Sequence, residues 1–182
     1  MPPLITHLRD ATAASHQTLD NAFGSLDLSN HDDFVRFLTG HAIGMAPLAG
    51  HFRAFVENEL NLPCPDLSAM LHDDLRALGI DTTSLPKIEP ASALSDVATA
   101  YVVAGSRLGL AMIRKSGYWG SAEGHLSTYM EDDTGRVIWK EVAAWLKARV
   151  PDEAEAERES QAAIAAFETF RQAFLASAPV QQ

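Results

Sequence analysis

An all-α fold is what this 182-residue chain predicts. Apolar residues recur at three- and four-residue spacing over most of its length. No stretch alternates apolar and polar residues as a half-buried strand would, and glycine and proline fall between the periodic segments. With no internal repeat and no shift in composition, residues 1–182 form a single domain. Six to eight helices should surround one core, for which the chain is long enough.

The first helix runs from Leu4 to about Phe23, with Ile5, Leu8, Thr12, Leu19 and Phe23 at helical spacing. His16 follows Thr12 by four and so is expected to point inward. Arg9 lies seven residues before His16, nearly the same angular position about 10.5 Å along the axis. The pair reads either as a hydrogen-bonded core histidine with an arginine snorkelling at the rim, or as two ligand-binding groups on one inward face.

Ser29 or Asn30 caps a second helix, with Asp32 and Asp33 at its positive end. Its stripe is Phe34, Phe37, Leu38, His41, Met45, Leu48, Phe52, Phe55 and Val56. Gly44 and Pro47 should bend or split it. His41 and His51 read as structural, because nothing near them stands at ligand spacing. Leu62-Pro63-Cys64-Pro65 breaks the chain, and Asp66 opens a shorter helix that Gly79 ends. Residues 80–90 form a loop.

The segment from Asp96 to Lys115, DVATAYVVAGSRLGLAMIRK, is strongly helical yet carries Gly105 and Gly109 in its interior. Each costs roughly 1 kcal/mol against alanine in a helix. Four residues apart, they share a face with Tyr101 and lie close to Leu108 and Met112. Two readings fit: another helix packed closely on the bare backbone, which the residues alone favour, or a planar ligand lying across it.

A looser region follows, residues 116–135, with glycines at 117, 120, 124 and 135. Its acidic run, Glu131 to Asp133, reads as a solvated turn and helix start. Arg136 to Val150 forms a helix with Ile138, Trp139, Val142, Trp145 and Leu146. Pro151 and Asp152 start the last helix, buried through Ile164, Phe167, Phe170, Phe174 and Leu175.

A net charge of −10 argues against a nucleic-acid partner, although a few local cations can hold a small anion. The single cysteine, Cys64, makes no internal disulfide. The first ten residues lack the basic and apolar regions of a signal peptide, and no apolar run stands out as a bilayer span. A cytoplasmic protein without membrane association is expected. There is no P-loop, GxSxG, HExxH or dinucleotide fingerprint.

Two separated stretches resemble the heme oxygenase family. Leu8-Arg9-Asp10-Ala11-Thr12 followed by His16 and Leu19-Asp20 is similar to the family's LR-x-x-T-x-x-x-H. Tyr101-Val102-Val103-Ala104-Gly105-Ser106-Arg107-Leu108-Gly109 resembles its YV-x-x-GS-x-LGG. Asp73 to Gly79 looks like the DL-x-x-LG of bacterial, bacteriophytochrome-associated members, and Trp139 and the Phe-rich last helix fall at family-like places. The resemblance implies a heme-oxygenase-like helical bundle, with heme between the first helix and a kinked distal helix. His16 would be the axial ligand to the heme iron and Arg9 a propionate partner. Gly105 and Gly109 would let the distal backbone approach bound oxygen, with Ser106 a water-network partner. Tyr101 would border the heme, and Arg107 would face solvent or a propionate. Heme would be both substrate and cofactor, cleaved with O2 and an external electron donor such as a ferredoxin or reductase. The products would be biliverdin, carbon monoxide and ferrous iron, and the bilin could supply a photoreceptor.

The sequence departs from this pattern at Leu110, where the family has glycine or alanine. A side chain that obstructs oxygen there would favour a non-catalytic heme binder or sensor. A third reading, without heme, is a helical interaction protein or an enzyme acting on thiamin-type compounds, for which Cys64 would be a poor nucleophile.

Overall fold

The computed structural model describes residues 1–178, and among them there are seven α-helices and no strand. They are α1 (Leu4–Gly24), α2 (His31–Asn58), α3 (Leu67–Ala77), α4 (Asp96–Ser116), α5 (Thr128–Glu131), α6 (Thr134–Ala148) and α7 (Glu153–Ala176). The all-α bundle expected from periodicity is the fold observed.

Most helix starts are chemically specified. Asn30, Asp66, Ser95, Ser127 and Asp152 each accept a backbone N–H of their own first turn. Helix α1 begins differently: the Leu4 N–H donates to the Arg149 carbonyl at 2.8 Å, tying its start to the end of α6. At the far end of α3, Gly79 adopts φ +80°, the left-handed conformation that closes a helix with little strain in glycine.

Helix α7 lies at the centre and packs on α1, α2 and α4. Its approach to α2 depends on small residues. A Cβ placed on Gly44 would sit 2.5 Å from the Phe170 ring, so this contact requires glycine. Helix α2 was expected to bend or split near Pro47, and it does not split: it is a single helix through that residue. Met45, Leu48, Phe52 and Phe55 are all buried and hold the face together across the one missing N–H.

Helix α4 packs on α2, α6 and α7. By length and composition it is apolar enough to cross a membrane, which the sequence reading had not anticipated. Its hydrogen-bonded helix is uninterrupted from Asp96 to Ser116. The region after it, expected to be loose, is pinned at both ends. The Trp119 N–H donates to the Leu28 carbonyl at 2.7 Å. Buried Asp74 of α3 accepts from the Ser127 hydroxyl and from the backbone N–H groups of Thr128 and Tyr129.

Candidate functional site

The two faces of α4 differ sharply. Ala100, Val103, Ala104, Arg107 and Leu110 form the buried stripe. On the other side Gly105 is half-buried, while Leu108 and Met112 are 42% and 73% exposed. A Cβ built on Gly109 would meet no atom within 4 Å. One built on Gly105 would stand 3.4 Å from the Trp139 ring, an ordinary contact. Gly109 therefore serves no helix packing, the reading that the residues alone favoured, whereas Gly105 packs on Trp139 of α6 at a distance that leaves room for a Cβ. Trp139 of α6 walls one end of this face, with Tyr101 6.0 Å away between ring centroids.

Helix α1 packs on α7 and, less, on α6, with little direct packing on α4. The two helices come together around Tyr101, whose phenol burial pushes to a higher pKa. The neighbouring Thr12 hydroxyl and the Arg9 charge act in the opposite direction. Thr12 is buried and donates to the Leu8 carbonyl at 2.7 Å. His16 lies along the same helix with its ring 5.4 Å from that of Phe167 in α7. Its Nε2 is 3.3 Å from an Asp20 carboxylate oxygen.

His16 and Arg9 are not inward-facing as expected: their side chains are 61% and 70% exposed. The core of α1 centres on Leu4 and Leu8. Relative to Leu8, Arg9 and His16 are turned by about 100° and 80°. They share a face, but it is the edge of the buried stripe, where an imidazole remains open to a ligand.

No protein-family model and no curated protein matches this chain.

Arg107 does not face solvent or the open face of α4. It is 3% exposed, stacks over the Tyr129 ring at 4.6 Å, and donates through Nη2 to the Tyr129 and Asp132 carbonyls. A signal for this was present, since residue 107 falls in the stripe of 100, 103, 104 and 110. Ser106 bonds back to its own turn, donating to the Val103 carbonyl at 2.7 Å. Leu110 is buried in the core and does not stand over Gly109.

The remaining candidates behave as structural groups. His41 is enclosed by Phe23, Phe37, Tyr129 and Phe170, and its Nδ1–H donates to the Phe37 carbonyl at 2.7 Å. Burial lowers its pKa to about 4. His51 contacts Asp96 at 2.7 Å, joining α2 to the start of α4. Burial pushes the Cys64 thiol up to about 11, the wrong direction for a nucleophile. Phe167 and Asp20 adjoin His16; for Phe167, no sequence spacing links residues 151 positions apart.

Two cavities lie away from the α1–α4 face. One, of about 540 Å³, is bordered by Ile88, Glu89, Thr169, Gln172 and Leu175. The other, of about 450 Å³, lies between α4 and the start of α6 and includes Arg107.

Proposed function

We propose that the chain is a heme oxygenase, binding heme beside α1 and across the open face of α4. It would cleave heme with O2 and an external reductant to biliverdin, carbon monoxide and ferrous iron. The observation that carries this reading is the bare, uncovered backbone at Gly109, flanked by exposed Leu108 and Met112. Two interior glycines weaken a helix; Gly105 lies against Trp139 at a distance that does not require glycine and nothing packs on Gly109, and a flat apolar ligand accounts for that cost.

Heme supplies the iron and the oxygen chemistry when bound. The protein's part is placement. His16 offers an uncovered imidazole as axial ligand, and Asp20 is within reach to accept the N–H of its other nitrogen and hold the ring. Exposed Arg9 offers a partner for a propionate at the solvent edge, worth about 1 kcal/mol or less there. Leu108, Met112 and Phe167 provide apolar contact. The Ser106 hydroxyl donates to the Val103 carbonyl and keeps lone pairs that can accept from a water. A non-catalytic binder would be favoured by a side chain closing the oxygen side, and buried Leu110 does not supply one.

Hemin titration followed by reductant in air tests the proposal. A Soret band should appear and then decay as bilin absorbance grows. Absence of the band would remove heme from the account; a band stable to reductant and O2 would leave a heme binder. His16→Ala should lose the histidine-ligated spectrum even if heme still enters, and an unchanged spectrum would overturn that ligand assignment.

A further inference from the structure

The cavity between α4 and α6 gathers four of the chain's 14 lysines and arginines: Arg107, Arg114, Lys115 and Arg136. In a chain of net charge −10, composition alone does not produce that concentration. Asp132 and Asp133 also line the space, leaving cations in excess. Arg107 pairs with Asp132 and Arg114 with Glu131. Lys115 and Arg136 make no ion pair among the described residues. Leu110, Ala111 and Met130 make the rest of the lining apolar.

Helix α6 starts at this cavity. Its N-cap residue, Asp133, makes no side-chain hydrogen bond to the helix, and the first turn holds no acidic residue. The first-turn N–H groups have no partner within a helix and carry partial positive charge. An open helix start is common and would mean little by itself. Arg107 is the independent observation. Its guanidinium is almost fully removed from solvent at the cavity wall, and its Nη1 has no hydrogen-bond partner. The charge itself is paired with Asp132, but a buried N–H left without an acceptor is costly, and an oxyanion is a group that supplies one. Gly135 makes the arrangement possible: a Cβ there would sit 2.6 Å from Arg107 Cγ.

We propose that this cavity binds a small organic anion, a carboxylate or phosphate ester with a short apolar body. The head would meet Arg107, the α6 N–H groups, Lys115 and Arg136; the body would lie on Leu110 and Met130. The site is on the side of α4 opposite Gly109 and does not depend on heme.

Calorimetric titration of the heme-free chain with phenyl phosphate, benzoate and inorganic phosphate, at fixed ionic strength in chloride, tests it. Phenyl phosphate or benzoate should bind saturably, one per chain, and the tighter of the two identifies the head group. Inorganic phosphate should bind more weakly, because it leaves the apolar lining untouched. The double variant Lys115→Gln/Arg136→Gln changes only exposed side chains, so its thermal melt should match wild type. Its affinity should fall about tenfold or more, the loss of charge-assisted contacts. Arg107→Lys, which keeps the charge but not the fork, should also weaken binding if it folds. No saturable binding of any probe, or equal binding by the folded double variant, would overturn the proposal.

Discussion

Gly109 and Gly44 look alike in sequence, each inside a helix, yet their surroundings predict opposite outcomes. Gly44→Ala would drive a methyl group into the Phe170 ring and should destabilise the fold by about 1–3 kcal/mol. Gly109→Ala meets open space and should leave the heme-free protein equally stable or stabilised by up to about 1 kcal/mol. Its cost should appear only in heme turnover. Thermal melts of the two heme-free variants decide this, and a Gly109→Ala protein melting well below wild type would restore the packing explanation. His41 carries a second prediction at this scale. Burial holds its pKa near 4, below the usual 6.5, so the unfolded chain takes up the proton first as pH falls. Stability is therefore intact above about pH 6.5 and drains away toward pH 4, by roughly 3 kcal/mol in full. Urea midpoints across that range should show the loss, and His41→Gln should flatten it. Residue types and spacing revealed that Arg9 and His16 share a face. They did not reveal how wide the buried stripe is, because that depends on where α7 sits. Arg107 is the reverse case: its place in the apolar stripe is legible, but its charge suggests an outward role that its burial contradicts.

The elements with their own caps and stripes were readable almost to the residue. Asn30, Asp66 and Asp152 stand where helix starts were expected, and Gly79 closes α3. Helix α5 was not foreseen, because four residues are too few to show a period and part of its cap comes from another element. Asp74 binds the Thr128 and Tyr129 N–H groups from 54 and 55 residues away, a distance over which local pattern says nothing. Asp74→Ala should leave the buried Tyr129 N–H, and the half-buried Thr128 N–H beside it, without acceptors, costing about 1–3 kcal/mol. Residues 118–131 should become more open to proteolysis as well; urea unfolding and limited digestion measure the two effects. Leu110 belongs to this scale too. Its departure from the family pattern left open whether it obstructs the oxygen side; a helix turns by about 100° per residue, and Leu110 is carried into the core. Leu110→Ala should therefore cost stability, about 2–5 kcal/mol, without opening the Gly109 face.

At the scale of the molecule, α1 is held chiefly from one side. It packs on α7 and α6 and has little direct packing on α4. A ligand touching His16 on α1 and Gly109 on α4 would join the two helices, and would bind only the folded state. At a hundredfold excess over its Kd such a ligand adds about 2.7 kcal/mol of stability. For a chain of this size that is a rise of roughly 5–11 °C in Tm. Hydrogen exchange locates the effect: heme should slow exchange in α1 around His16 and in α4 around residues 105–112. A small anion in the α4–α6 cavity should instead protect the start of α6 and residues 130–136, with α1 unchanged. Because the two sites lie on opposite faces of one helix, each pattern can be obtained without the other ligand. Heme protection that spares α1 would mean that it does not bridge these helices, whatever spectrum it gives.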